Sequence, residues 1–232
     1  MLFLKFAFCI FSIIFSGYIV LKLIFHPKER LPFGEIIFLS FGIGVGFVGL
    51  ETFLLSFSKR PFSIGYPLLV QFILFIIALF KFDKNLFYWQ KSYSEKRIIC
   101  YPLALFFFGI ILWEISYVFL EAFSLPFIAW DAWGNWGLKS KIIFSLKTFP
   151  FQLWTQKPWI DHPGHLDYPL LIPFTQAYIY FFLGQVHDSF AKLFSSFYYF
   201  GLIALFYYHL KKQFKINFVL VSCFCLATIP NL

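Results

Sequence analysis

The 232-residue chain is short of charge: only 13% of its residues are Asp, Glu, Lys or Arg, where soluble domains carry about 25%. So few charges cannot wrap a water-facing surface around an ordinary core, which excludes a soluble globular domain. Acidic residues are the scarcest, eleven against nineteen basic, and the formal net charge is +8. That excess does not point to nucleic acid, because the basic residues sit in short loops between apolar runs rather than on one solvated face. Anionic lipid headgroups and membrane orientation account for them. Cysteine is also sparse, with four residues. Cys9, Cys223 and Cys225 lie inside apolar runs and Cys100 at the start of one, so they read as small buried hydrophobes rather than a disulfide framework. The first apolar run has no small-residue cleavage site after it, so it reads as a retained helix. No internal repeat is present.

Apolar residues make up 60% of the chain, and the mean hydropathy is +0.77. The fold class this predicts is all-α, a polytopic transmembrane helical protein, because lipid offers exposed backbone groups no partners. A span needs about 20 apolar residues. Runs at 2–25, 33–57, 68–82, 103–121, 169–183, 194–209 and 216–230 predict about seven spans. The expected organisation is a four-helix membrane region over 1–121, an interfacial loop with short amphipathic helices over 122–168, and further membrane helices over 169–232. With the loop placed outside the cytoplasm, basic residues fall almost evenly on the two sides, so the positive-inside rule does not set the orientation. "KKQFK" at 211–215 weighs against that placement.

"GVGFVG" at 44–49 matches a dinucleotide fingerprint, but that motif works only between a strand and a helix. Here Gly42, Gly46 and Gly49 are expected on one helix face, admitting a neighbouring helix closely. Acidic residues inside membranes are costly and face a partner or a cavity. Glu51 reads as a structural hydrogen-bonding acid. Glu114, Tyr117 and Glu121 share one helix face and form an acidic stripe leading to the loop, equally compatible with a structural and a functional role.

The loop holds two polar clusters. In "WDAWGNWGLKSK", 130–141, a helix would align Asp131, Asn135 and Lys139 on one side and Trp133, Trp136, Ser140 and Phe144 on another. Five of the seven tryptophans, 130, 133, 136, 154 and 159, lie in this loop, as interfacial anchors do. An anchor gains nothing from an acid between indoles, so Asp131 asks for another role. In "DHPGHLDYPLLIP", 161–173, four polar groups, Asp161, His162, His165 and Asp167, crowd into seven positions. A divalent metal on Asp131, His165 and Asp167 is compatible with this set but not required by it, since Pro163 and Gly164 break any regular helix face. A polar pocket for an anionic group fits better, with helix entry at Asp167-Tyr168-Pro169.

"WDAWGNWGLKSKIIF", followed by "HLDYPLLIPFTQAYIYFFLG" and "DSFAKLFSSFYYFGLIALFYYHLKKQF", resembles the GT-C class of membrane glycosyltransferases, closest to the protein O-mannosyltransferase and aminoarabinose transferase families. The resemblance covers roughly residues 120–230. It implies transfer of a sugar from a polyprenyl-phosphate donor to an acceptor of unknown kind across the membrane, in a multi-pass protein of the bacterial inner membrane. Residue by residue, Asp131 matches the loop aspartate taken as catalytic base. Asp167, with His165 and Tyr168, matches the second motif near the donor phosphate. The chain departs from the pattern in three ways. Its aspartate follows the fourth apolar run rather than the first, Ala132 stands where many members have a second acid, and the sequence is shorter and stops at "ATIPNL", as in a truncated member.

The chemistry expected is an inverting displacement at the anomeric carbon, with Asp131 as base and Lys139, Lys141, His162 or His165 neutralising the departing lipid phosphate. Trp130, Trp133, Asn135, Glu114 and Glu121 would support the site. Three alternatives remain open at this stage: a non-enzymatic transporter or assembly subunit using Glu51 and Glu114 at membrane depth, a structural membrane protein whose loop is only an anchor, and an inactive fragment of a transferase.

Overall fold

The computed structural model describes residues 1–24, 31–57, 61–81, 87–88, 101–150 and 168–229. Eight α-helices are found among them: α1 (Leu2–Ile24), α2 (Phe33–Ser56), α3 (Gly65–Lys81), α4 (Tyr101–Ser124), α5 (Leu138–Leu146), α6 (Leu171–Leu183), α7 (Asp188–Lys211) and α8 (Ile216–Ala227). A seven-residue π-helix, Asp131–Gly137, leads directly into α5. Two two-residue strands, β1 (Leu31–Pro32) and β2 (Phe87–Tyr88), pair in parallel, with Leu31 opposite Phe87.

Each predicted apolar run contains a helix, but not seven spans. Among the described residues, four helical segments are long and apolar enough to cross a membrane: Leu2–Ile24, Phe33–Ser56, Pro102–Ser124 and Asp188–Lys211. Gly65–Phe80, Leu171–Leu183 and Ile216–Ala227 are shorter. At about 1.5 Å per residue, α6 and α8 reach only ~18–20 Å, against a hydrocarbon core of ~30 Å. Hydropathy detects apolar sequence and not helix length, so it counted these short helices as spans.

α1 and α2 pack most closely, through small residues. A Cβ added to Gly17 would run into the Ser40 carbonyl, and one added to Gly44 into the Ile13 carbonyl. The expected Gly42, Gly46 and Gly49 face is not the one used. Gly42 and Gly46 have nothing within 4 Å, and only Gly49 meets a neighbour, Leu171 of α6. Gly44 lies two residues, about 200°, around the helix from Gly42 and Gly46, so α1 meets a different face of α2.

Apolar packing of α1, α2, α6 and α7 forms the largest cluster, with Cys9, Ile13, Val48, Tyr178 and Phe190 all fully covered. A second cluster joins α4, α7 and α8 through Ile111, Ile203 and Val219. Cys9 and Cys223 are buried as expected, whereas Cys225 is exposed on α8 because it points away from this second cluster. α4 leaves Leu105, Phe106 and Trp113 exposed, an apolar surface that lipid covers and water would not tolerate.

Polar side chains tie the bundle together internally. Ser12 of α1 donates to Gln71 Oε1 of α3 across 2.8 Å and lies 2.7 Å from the Tyr178 hydroxyl of α6. Gln71 Nε2 donates to the Tyr178 hydroxyl at 3.3 Å and to Glu51 Oε2 of α2 at 3.5 Å. Glu51 thus acts as the interhelical acceptor its sequence position suggested, in a network joining four helices. Two turns nearer the start of α1, Lys5 donates to the Leu183 carbonyl across 2.9 Å, closing the last turn of α6, which ends on left-handed Gly184.

Candidate amphiphile-binding site

The segment that follows α4 is held by α7. Lys192 donates to the carbonyls of Leu125 and Pro126 at 3.1 and 3.4 Å, satisfying acceptors just past the end of α4. Phe127 then turns inward against Tyr180 and Ala191, and the π-helix begins. Its glycines suit the wider turn. A Cβ on Gly137 would sit 2.7 Å from the Ala132 carbonyl and 3.0 Å from the Phe127 ring. Single π-helical turns of this kind concentrate at functional sites.

Within this helix Asn135, almost fully buried, donates Nδ2–H to Asp131 Oδ1 across 2.8 Å, and Asp131 itself is exposed. Trp130 and Trp133 are exposed and 5.7 Å apart, as anchors in a headgroup layer would be. Trp136 points the other way and stacks on Tyr168, with centroids 5.5 Å apart and planes at 27°. Lys139, buried, brings Nζ to 5.8 Å from the Trp136 ring and 5.7 Å from the Tyr168 ring, a cation–π contact between two parts of the predicted site. The structure therefore brings Lys139 directly against both Tyr168 and the Trp136 ring that stacks on it.

Other predicted residues lie elsewhere. Lys141 is bound to Asp188 of α7 at 2.9 Å, and Asp188 also accepts from the Tyr180 hydroxyl at 3.2 Å. That lysine fastens α5 to the first turn of α7, where an acid suits the helix dipole. The acidic stripe of α4 divides: Glu121 lines a cavity, while Glu114 is half-buried further along and is not in its lining. His162, His165 and Asp167 lie outside the described residues. Among the described residues, no group of three or more His, Cys, Asp or Glu is placed to hold a metal.

Two adjoining cavities lie between these elements. The first, about 290 Å³, is walled by Glu121 of α4, Ala132 and Trp136 of the π-helix, Gln176 of α6, and Lys192 and Ser196 of α7. The second, about 530 Å³, is lined by Val45, Leu171, Phe194, Tyr198 and Leu202. Ile172, Ser195 and Tyr199 line both, so a chamber with a few polar groups in a mainly apolar wall adjoins an apolar groove. Along α7, Lys192, Tyr199 and Leu202 lie about 6, 16 and 21 Å from Asp188. The Lys192 end of the chamber is thus nearer the helix terminus, and the groove lies nearer the middle of α7.

Gln176, Lys192, Ser195, Ser196 and Tyr199 were missed in the sequence. The signal available was Gln176, an uncharged polar residue inside the apolar run that forms α6. It is 3% exposed, and its Oε1 is buried with no donor among the described residues. An acceptor left this way costs about 1–3 kcal/mol.

Comparison with protein-family models, with curated proteins and with solved structures found no match. The class of the chain rests on its own fold: it is an all-helical, polytopic integral membrane protein.

Proposed function

We propose that the chain is a membrane glycosyltransferase that takes a sugar from a polyprenyl-phosphate donor and passes it to an acceptor beyond the membrane. The observation that carries this reading is a chamber with Glu121, Gln176 and Lys192 in its otherwise apolar wall, adjoining an apolar groove with which it shares three lining residues. That shape fits an amphiphile: an isoprenoid chain against Phe194 and Leu202, and a polar head against Trp136 and Gln176. Trp136 offers an aromatic face of the kind that stacks on a sugar ring.

Asp131 is the base in this reading. It is exposed and does not itself line the chamber, but it precedes Ala132 of the chamber wall, and the bond from Asn135 leaves its second carboxylate oxygen for an acceptor hydroxyl. The carboxylate takes the hydroxyl proton as that oxygen attacks the anomeric carbon, and the lipid phosphate leaves with the bonding electrons. Lys192 on the chamber wall, with Lys139 behind Trp136, supplies positive charge near the departing phosphate. The bacterial inner membrane is the location this chemistry implies. The test is sugar transfer by wild type and Asp131→Asn, both correctly inserted in liposomes. A loss of about 100-fold or more is expected for removal of a general base, and undiminished turnover would sink the assignment.

A transporter is the second reading, favoured by the buried Ser12–Gln71–Tyr178–Glu51 network beside the short helix α6. It requires solute flux that falls on Gln71→Leu. The transferase reading requires that substitution to affect stability alone.

A further inference from the structure

α4 carries an acid at a depth where lipid offers it nothing. Of the four helices long enough to span, α4 is the least covered: 6% of its apolar stretch is buried, against 39% or 44% in the others. Glu114 lies about 20 Å from the start of α4 and about 15 Å from its end, near the middle of the span, and is only half-buried. Among the described residues it makes no hydrogen bond or ion pair. The polar groups around it are already committed. Ser116 donates to the Leu112 carbonyl at 2.7 Å. Tyr199 of α7, which interacts with Glu114 electrostatically, donates its hydroxyl to the Ala227 carbonyl at 2.8 Å. The chamber lining on α4 runs from Val118 to Ala122 and stops a turn short of Glu114. Lipid covers apolar side chains but does not solvate a carboxyl group, so an acid at this depth calls for a partner.

We propose that this flank of α4 seats a transmembrane helix of another protein, one that carries a lysine or arginine near its middle. At about 100° per residue, Leu103, Ile110, Glu114, Tyr117 and Glu121 fall on one flank of α4, and Leu103, Tyr117 and Glu121 are exposed there. A helix laid along this flank covers its apolar side chains, and a cation at matching depth pairs with Glu114 away from competing water. A second copy of this chain does not supply that cation. A two-fold pair through the flank sets one acidic stripe against the other. The lysines of the described spans, Lys5, Lys22, Lys192 and Lys211, all lie within two turns of a helix end, and α2 and α4 carry none. Charge complementarity at mid-depth therefore points to a different polypeptide. The inference is independent of the transferase reading, since it concerns a face of α4 outside the chamber lining.

The test uses the full chain in liposomes and three synthetic leucine–alanine helices of about 20 apolar residues with identical flanks. One has lysine at its centre, one has leucine there, and one has the lysine moved close to an end. Energy transfer between dyes on protein and peptide gives the strength of association. Wild type is expected to bind the lysine-centred helix about tenfold more tightly than either other helix, the size of an interhelical polar contact in model peptides. Glu114→Leu should abolish that preference. Glu114→Asp, which keeps the charge, should retain it and shows that the position tolerates change. Glu114→Gln, with the shape kept and the charge removed, should lose most of the preference, and it carries the result if the leucine variant fails to insert. Equal binding of the three helices by wild type, or a preference that survives in both Glu114→Leu and Glu114→Gln, would overturn the proposal. So would energy transfer between differently labelled copies of the wild-type chain that disappears in Glu114→Leu, since the occupant would then be a second copy.

Discussion

Asn135, buried in the π-helix, holds the exposed Asp131 by a single 2.8 Å hydrogen bond from Nδ2 to Oδ1. One amide thus fixes the direction of the only carboxylate in the π-helix. If Asp131 is the base, Asn135 is a positioning residue, and its loss should slow chemistry rather than binding. Asn135→Ala is expected to lower kcat about tenfold or more with KM little changed. Steady-state kinetics with a lipid-linked donor check this; a rise in KM at constant kcat would instead assign Asn135 to substrate binding.

The packing of α1 on α2 makes a sharper stability prediction. Gly17→Ala and Gly44→Ala each press a methyl into a backbone carbonyl, which neither helix can relieve without moving apart. Each should cost about 1–3 kcal/mol, as overpacking does. Gly46→Ala, with open space around it, should be neutral or slightly stabilising through higher helix propensity. Thermal unfolding in detergent distinguishes the three.

At the other end of the bundle, Lys212 Nζ lies 2.7 Å from Glu35 Oε1 and 2.9 Å from Oε2. The carboxylate side chain is 7% exposed and the lysine 40%. Removing the lysine strands a buried charge, whereas removing both charges does not. Lys212→Met should therefore destabilise more than Glu35→Gln with Lys212→Met combined, and a double-mutant cycle measures the difference. Equal losses would mean the pair is fully solvated.

Lys141 and Asp188 provide a control on the site. Because they bind each other across 2.9 Å and join α5 to α7, Lys141→Met should lower stability by up to about 1 kcal/mol, given the partial exposure of both groups. Donor affinity at fixed folded concentration should not change. A selective loss of affinity would return Lys141 to the phosphate site that its sequence neighbourhood suggested.

Much of the architecture was legible in hydropathy. The runs at 2–25 and 33–57 coincide with α1 and α2 within a residue at each end. α7 was read six residues short at its start, at 194 rather than Asp188. Its first turns carry Asp188, Lys192 and Ser195–Ser196, polar residues that an apolar window rejects. Those side chains bind Lys141, receive the end of α4 and line the chamber. The helix was obscured by the residues that build the site. The pairing of Asp131 with Asn135 was readable because positions i and i+4 remain neighbours even in the wider π turn. Gln176 and Tyr199 were not, because they meet the loop only through tertiary packing. Neither was the Gly17–Gly44 contact, since glycine spacing on α2 does not say which of its faces α1 selects.

The proposed activity requires one amphiphile to occupy chamber and groove together. Photo-crosslinking measures this directly: p-benzoylphenylalanine at Leu202 in the groove, and separately at Leu105 on the outward face of α4, illuminated in nanodiscs containing a polyprenyl-phosphate sugar. Capture at Leu202 and not above background at Leu105, reduced by octyl glucoside competing for the chamber, is the predicted result. Equal capture at both positions, or none at Leu202, would contradict it.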